Sequence, residues 1–223
     1  MPDLVLALDT TTDVTVGVAR GHEVLASDRV TDRMAHVEQL MPLVHRTLAA
    51  AGARLADVAQ VVVGLGPGPF TGLRVGIITA QVLAHVRGVP LHGVCSLDVI
   101  ALAHVQASSG PAAPAFLVAT DARRKEVYWA RYGANGRRVE GPEVSSPDAV
   151  PRLPTVGPAA DLYTDRLEVV PGPRTLDAGL LAAYGLELPS AGVEPLYLRR
   201  PDAAEPARRK SVLRLPPGQE VRR

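Results

Sequence analysis

Residues 4–30 read LVLALDTTTDVTVGVARGHEVLASDRV, and this stretch decides the fold of the chain. It contains three apolar or alternating runs, at 4–9, 14–20 and 24–30, which short segments rich in threonine, aspartate and glycine separate. Such runs are typical of β-strands, and connections this short join neighbouring strands in an antiparallel arrangement. The sequence therefore predicts a three-stranded antiparallel β-meander.

The residues after the meander alternate between helical and strand patterns. Apolar side chains recur at helical spacing over residues 35–51, and Gly52 supplies a stop signal. A buried strand at 58–64, a helix at 71–87 and a strand at 89–94 follow. Antiparallel strands joined to strand–helix–strand units predict an α/β fold in which helices cover a mixed sheet.

A weak internal repeat indicates a second lobe of the same kind. Asp121 follows Asp9 at a distance of 112 residues, and Gly133 follows Gly21 at the same distance. At both places an apolar strand runs into an acidic loop and then into a second strand. This pattern is expected of two related lobes.

The boundary between the lobes is predicted at a linker. A helix predicted at 97–107 leads into SSGPAAP, residues 108–114, which is the clearest linker in the sequence. The N-terminal lobe is therefore expected at 1–107 and a smaller C-terminal lobe at 108–200. Residues 201–223 are expected to form a flexible basic tail.

Composition and charge exclude several classes of protein. The single cysteine, Cys95, excludes an intramolecular disulfide, and no apolar run approaches the roughly 20 residues of a membrane-spanning helix. The N-terminal apolar run is too short, and too uncharged at its front, for a signal peptide. We therefore expect a cytoplasmic protein without membrane contact.

The basic residues leave two alternatives open. The formal net charge of +1 is too small to hold a nucleic acid by a global field, so any RNA contact must be local. The local clusters are either solvated loops and tail or contacts with nucleic acid. They are Arg123-Arg124-Lys125, Arg137-Arg138 and Arg208-Arg209-Lys210.

A glycine–proline loop, GLGPGPFTG at residues 64–72, is the most informative motif. Glycine amides can approach a phosphate closely, and Thr71 is placed to cap the next helix, whose positive end favours an anion. The alternative is a rigid turn that launches the helix, because the two prolines remove N–H donors and the Walker and dinucleotide patterns fail. The candidate phosphate or nucleotide residues are Asp9, Gly66, Gly68, Thr71 and Gly72.

The helix after this loop is apolar on nearly every side. Small residues recur every fourth position, at Gly72, Gly76, Ala80 and Ala84, and larger apolar residues cover most of the rest. Such a helix needs cover on two sides. Either the helix at 35–51 supplies that cover or a partner protein does.

Residues for catalysis and for metal binding are not evident. No two of the six histidines are four residues apart, so the paired histidines of a helical metal site are absent, and no Gly-x-Ser-x-Gly elbow occurs. Asp9 and Asp121, at predicted strand ends, either hold magnesium beside a nucleotide or cap their turns. We therefore expect neither catalytic nor metal-binding residues.

Several motifs together resemble the bacterial TsaB (YeaZ) family, in the same order and over nearly the whole chain. One departure is Pro69, where the family usually has serine. The glycine motif is the specific part of the resemblance. The motifs are Leu8-Asp9-Thr10-Thr11-Thr12, GPGPFTGLRVG at 66–76, Ser96-Leu97, Asp121-Ala122-Arg123, Glu126-Val127-Tyr128 and Pro195-Leu196-Tyr197-Leu198-Arg199.

The resemblance implies an actin-like (ASKHA) fold, with two ribonuclease-H-like lobes whose mixed sheets are covered by helices. Members of this family look like degenerate relatives of TsaD, which transfers a threonylcarbamoyl group to the adenosine following the anticodon of tRNA. TsaD holds a metal through a His-x-x-x-His pair, and the corresponding segment here, near Ser96-Leu97-Asp98-Val99-Ile100, contains no histidine. The resemblance thus implies a non-catalytic accessory subunit.

The resemblance also implies partners. The family pairs with TsaD through the two helices of the N-terminal lobe, and TsaE, a small ATPase, is the expected third protein. ATP and magnesium would be used by the complex, with no cofactor held tightly by this chain and with tRNA contacted indirectly or weakly. Without TsaD the same surface could form a homodimer. The candidate interface residues are Val37, Leu40, Met41, Val44, Leu73, Ile77 and Ala80.

Two rival hypotheses give the chain its own activity. One is a metal-dependent peptidase-like enzyme, and the other is an ATP-using enzyme of the ASKHA class. Either would act alone, without a catalytic partner.

Overall fold

The computed structural model describes residues 3–31, 36–108 and 114–199, without the side chains of residues 36 and 37. Three predictions fall partly or wholly outside the described residues. They are the linker predicted at 108–114, of which 109–113 are not described, the basic tail at 201–223 and the place of the Val37 side chain at the predicted interface.

The first sheet has five strands in the order β3-β2-β1-β4-β5. β1, β2 and β3 pair antiparallel as the predicted meander, whereas β4 pairs in parallel with β1, and β5 in parallel with β4. The mixed sheet predicted for this part of the sequence is therefore confirmed. The strands are β1 Leu4–Asp9, β2 Val14–Arg20, β3 Glu23–Val30, β4 Gln60–Gly64 and β5 Leu91–Val94.

The second sheet repeats this arrangement in the order β10-β9-β6-β7-β8. Its first three strands in the sequence pair antiparallel, whereas β9 pairs in parallel with β6, and β10 in parallel with β9. The strands are β6 Phe116–Asp121, β7 Val127–Tyr132, β8 Arg138–Ser145, β9 Pro154–Val156 and β10 Glu168–Val169.

The two sheets share a register as well as a strand order. Leu4 lies opposite Arg20 in the first sheet, and Phe116 lies opposite Tyr132 in the second, with both partners shifted by 112 residues. The internal repeat is therefore confirmed. Two ribonuclease-H-like sheets related in this way form the predicted two-lobed actin-like fold.

Among residues 3–31, 36–108 and 114–199, four α-helices cover the sheets in two layers. α1 and α2 contact the first sheet on one face, whereas α4 contacts β1, β2 and β3 from the other and meets α3, which packs on β6 and β7. α3 and α4 therefore form a layer between the two sheets. The helices are α1 His36–Ala50, α2 Phe70–Arg87, α3 Ser96–Ala107 and α4 Ala178–Tyr184.

β1 is apolar from Leu4 to Leu8 because both of its faces are buried. Leu4, Leu6 and Leu8 pack with α1 and α2 in one core cluster. Val5 and Ala7 point to the opposite face, into the cluster that α3, α4 and the second sheet share. The interior layer thus belongs to both lobes, and the predicted division at 107/108 stays a prediction.

The second lobe is smaller because its connections lack helices. β8 joins β9, and β9 joins β10, through 3-10 turns at Pro147–Ala149 and Ala160–Leu162, in the places that α1 and α2 occupy in the first lobe. The outer face of its sheet is covered by these loops over a small cluster that includes Trp129.

The C-terminal strap, residues 190–199, runs from the first sheet to the second lobe. The Ala191 amide donates to Gly93 O at 2.8 Å, and the Leu196 amide donates to Leu65 O at 2.8 Å. At its end, Arg199 Nη1 donates to Ala122 O at 2.8 Å.

Among the helices of the described residues, none has the length and apolar character that crossing a membrane requires.

Candidate functional site

The Asp9 carboxylate, at the end of β1, is bound entirely within the chain. The Thr11 amide donates to Asp9 Oδ1 at 2.8 Å, and the Thr11 hydroxyl donates to the same oxygen at 2.6 Å. Ser96 Oγ donates to Asp9 Oδ2 at 2.5 Å. Since Asp9 is only 1% exposed, both of its oxygens are sealed from solvent.

Ser96 joins this carboxylate to the glycine–proline loop. Its Oγ accepts a hydrogen bond from the Gly66 amide at 3.1 Å, and its own amide donates to Gly66 O at 2.8 Å. Gly64 stands where a Cβ would lie 1.7 Å from Asp9 Oδ2. Only glycine fits at residue 64, because any side chain would displace the carboxylate.

Burial raises the pKa of Asp9 above its ordinary value, whereas the hydrogen bonds from Ser96 and Thr11 act in the opposite direction. A carboxyl group that burial disfavours as an anion, and whose oxygens are both engaged, is poorly suited to bind a cation. The structure therefore favours the turn-capping interpretation of Asp9 over the magnesium interpretation.

The other residues of the predicted phosphate loop are also used internally. Gly72 O accepts a hydrogen bond from Thr10 Oγ1 at 2.7 Å, and Gly68 packs against Thr11. The prediction that Thr71 caps the helix is wrong. The N-cap of α2 is Pro69, because the helix begins one residue earlier than predicted, and Thr71 is exposed in its first turn. This arrangement favours the rigid turn over a phosphate cradle.

The described part of the chain gives little support for a metal site or for a reactive thiol. Within residues 3–31, 36–108 and 114–199, no group of three or more His, Cys, Asp or Glu side chains could hold a metal ion. Burial raises the pKa of the Cys95 thiol to about 12. Cys95 is thus a core residue and no nucleophile at neutral pH.

The residues predicted for the partner interface lie mostly inside the lobe. Their side chains point toward the first sheet, because the apolar stripes of α1 and α2 cover its strands. Met41 alone is partly exposed among those whose burial is described. Five of the predicted interface residues are at most 2% exposed, so they cannot make the first contact with a partner. They face the core of the lobe, and not a partner as had been expected. These residues are Leu40, Val44, Leu73, Ile77 and Ala80.

The opposite face of α2 carries an apolar stripe, Ile78, Val82 and Val86. These side chains are 55%, 53% and 70% exposed. They recur every fourth residue, so they form one continuous ridge along the helix. One apolar face of α2 is therefore left exposed by its own lobe, and it consists of residues other than the predicted interface set.

A buried polar cluster that the sequence did not reveal joins α3 to the second sheet. Tyr132 Oη donates to Asp98 Oδ1 at 2.7 Å, and Arg138 Nε lies 3.3 Å from the same oxygen. Burial raises the pKa of Asp98, whereas the Arg138 charge opposes that shift. Since these residues lie on three separate elements, no local sequence pattern could have brought them together.

A second missed feature is a cationic cleft between the glycine–proline loop and the β6–β7 turn. It is a cavity of about 170 Å³. The strap closes one side, where the rings of Tyr197 and Phe70 stack at 4.8 Å. The lining residues are Gly68, Pro69, Phe70, Ala122, Arg123, Arg124, Tyr128, Tyr197, Leu198 and Arg199.

Two ribonuclease-H-like lobes around a common helical layer define an α/β protein of the actin-like (ASKHA) class, here with a sealed carboxylate at the end of β1. Residues 29–187 match the family model described as "TsaD: tRNA N6-adenosine threonylcarbamoyltransferase". The chain belongs to this family, and within it to the TsaB (YeaZ) proteins.

Individual relatives agree with this placement. A Mycobacterium tuberculosis relative, "Uncharacterized protein Rv3421c", is 46% identical over 205 residues, which cover 89% of this chain and 93% of the relative. The "tRNA threonylcarbamoyladenosine biosynthesis protein TsaB" of Escherichia coli is 36% identical over 129 residues, covering 57% of this chain and 54% of that protein. The structure of YeaZ from Pseudomonas aeruginosa matches with a TM-score of 0.71 at 26% identity, covering 88% of this chain and 100% of that one.

Proposed function

We propose that this chain is a non-catalytic accessory subunit that binds a TsaD-type catalytic subunit and supports threonylcarbamoyl transfer to the adenosine following the anticodon of tRNA. The observation that carries the proposal is the apolar stripe on α2. Three aliphatic side chains, each more than half exposed, form a ridge that an isolated protein would not need. A helix face of a partner would cover this ridge by ridge-into-groove packing.

The internal bonding of Asp9 supports the non-catalytic part of the proposal. A carboxylate at the end of the first strand is well placed for chemistry in the cleft between two lobes. Here both Asp9 oxygens are engaged, Oδ1 by the amide and hydroxyl of Thr11 and Oδ2 by the Ser96 hydroxyl. The residue thus holds the glycine–proline loop in place and leaves the reaction to the partner.

The names of the relatives support the choice of pathway, since proteins called TsaB are named for tRNA threonylcarbamoyladenosine biosynthesis. In the proposed assembly a TsaE-type ATPase is the third protein, and ATP and magnesium are used by the complex. This chain holds no cofactor tightly. In the absence of the catalytic subunit, the same stripe forms a symmetric homodimer.

The test replaces Ile78 and Val82 with glutamate in the full chain. The expected result is loss of co-elution with the TsaD-type subunit and loss of tRNA modification in a reconstituted mixture. The matched control is Val139→Glu, since Val139 is 57% exposed on β8 of the other lobe and should tolerate the charge. Co-elution of the double variant at the level of the control would refute the proposal. So would turnover of ATP or of a peptide by the chain alone.

A further inference from the structure

The cationic cleft has a composition that the accessory role does not explain. Three arginines and no carboxylate occur among the described residues that line it. Arg199 is partly neutralised by its ion pair with Glu126, and Arg123 Nε lies 3.8 Å from Asp121 Oδ2. The aromatic rings of Phe70, Tyr128 and Tyr197 share the lining, so the cleft combines positive charge with planar apolar surfaces.

The turn that carries these charges has an unusual backbone. Arg123, Arg124 and Lys125 have φ angles of 60°, 55° and 61°, in the left-handed region that residues with a Cβ rarely adopt. Hydrogen bonds fix the turn, from the Ala122 amide to Glu126 O and from the Glu126 amide to Arg123 O, each at 3.0 Å. Strain of this kind persists mainly at functional sites.

We propose that this cationic cleft binds the phosphate backbone of an RNA strand. The cationic turn, residues 123–125, would contact successive phosphates, and the aromatic wall of the cavity would accept one unstacked base. The inference rests on the proposed function, since the RNA that such an assembly handles is tRNA. It favours a direct contact of the cationic turn with nucleic acid, one of the two alternatives that the sequence left open, over the indirect or weak contact that the family resemblance implies.

An RNA strand fits the cleft better than a single small anion does. Arg123 and Arg124 line the cavity, whereas Lys125 lies outside it and is exposed. Arg74, also exposed, lies 4.1 Å from the centre of the Phe70 ring and donates from Nε to Tyr197 Oη at 2.9 Å. Positive charge thus continues on both sides of the cavity, as a chain of phosphates requires.

The test measures tRNA binding by the complex with the TsaD-type subunit, over a series of salt concentrations. Replacing Arg123, Arg124 and Lys125 with glutamine should weaken binding about tenfold or more at low salt. It should also lower the slope of log K against log salt concentration by about 2 to 3, because each neutralised phosphate contributes roughly 0.7 to 0.9. A second triple variant with glycine, which accepts the left-handed backbone, should behave alike and exclude misfolding as the cause.

The matched control removes the same charge elsewhere. Arg20, Arg29 and Arg152 are exposed and do not line the cleft, so their glutamine variants should keep both the affinity and the salt slope. Equal losses in the control, or unchanged tRNA binding by the test variants, would overturn the assignment. Displacement of tRNA by micromolar AMP would also overturn it, since it would indicate a mononucleotide pocket.

Co-elution with the catalytic subunit is measured in parallel. The variants of the cationic turn should co-elute normally, whereas Ile78→Glu with Val82→Glu should not. Failure of the RNA contact is thereby distinguished from failure of the proposed assembly.

Discussion

Ser96 and Asp9 are joined by a hydrogen bond of 2.5 Å between Ser96 Oγ and Asp9 Oδ2, although 87 positions separate them in the sequence. Ser96 is the first residue of α3, and Asp9 is the last residue of β1. Because Ser96 also bonds to both polar backbone groups of Gly66, one hydroxyl-bearing residue ties the interior helix, the central strand and the glycine–proline loop together.

Replacing Ser96 with alanine should therefore destabilise the protein. The change leaves Asp9 Oδ2 and the Gly66 amide buried without this partner, and the expected loss in free energy of unfolding is about 1–3 kcal/mol. Ser108→Ala is the control, since Ser108 is the C-cap of the same helix, is exposed and donates its hydroxyl to the nearby backbone oxygen His104 O. Urea denaturation of both variants checks the prediction. A Ser96 variant as stable as the control would contradict the role given to this network.

His104 should contribute a loss of stability on mild acidification, which a His104 variant separates from the opposite contributions of buried Asp9 and Asp98. His104 is 9% exposed, its ring lies 4.6 Å from that of Phe116, and burial lowers its pKa below 6.5. The unfolded chain then takes up a proton at a pH where the folded chain does not, so this contribution lowers stability as the pH falls below 6.5. As the pH is lowered from 7.5 to 5, the melting temperature of the wild type should drop more than that of His104→Phe. The two melting temperatures should therefore converge or cross. Parallel curves would refute this assignment.

The two faces of α2 should respond differently to truncation. Leu73→Ala removes a side chain at 0% exposure from the core, and we expect a loss of about 2–5 kcal/mol in the free energy of unfolding. Ile78→Ala trims the exposed stripe and should change stability by less than about 0.5 kcal/mol. Chemical denaturation measures both. Similar losses at the two positions would mean that the stripe is covered within the monomer.

Much of the fold could be predicted because local patterns determine it. The strand runs of 4–30, the helix stop at Gly52 and the 112-residue repeat all correspond to observed elements. The orientation of α1 and α2 could not be predicted in the same way. Periodicity identifies an apolar stripe, but it does not say whether that stripe faces the chain's own sheet or a partner, and Leu40 and Leu73 face the sheet.

The sites depend on contacts between distant residues. The cationic cleft forms only where the strap brings Arg199 and Tyr197 against Ala122 and Phe70. The sequence marked Arg123-Arg124-Lys125 as basic, but three arginine and lysine residues carry no signal for a left-handed backbone, which glycine or asparagine would give. The basic residues of the cleft could therefore be recognised in the sequence, whereas the backbone geometry that concentrates their charge could not.

The left-handed turn itself gives a further prediction. If a residue is held in a strained conformation for binding, a substitution that relieves the strain should stabilise the protein. Lys125 is exposed and has a φ of 61°. A Cβ in this region costs about 1–2 kcal/mol, whereas glycine's greater freedom in the unfolded chain costs roughly 0.5–1 kcal/mol. Lys125→Gly should therefore raise the free energy of unfolding by up to about 1 kcal/mol.

Lys125→Ala provides the contrast for this prediction, because it removes the same charge but keeps the Cβ. It should give no gain in stability, and the measurement is thermal or urea unfolding of both variants. If both variants gained equally, repulsion among the neighbouring cations, and not the backbone, would be the source of the strain. If neither gained, the turn would be relaxed as it stands, and its conformation would no longer argue for a binding site.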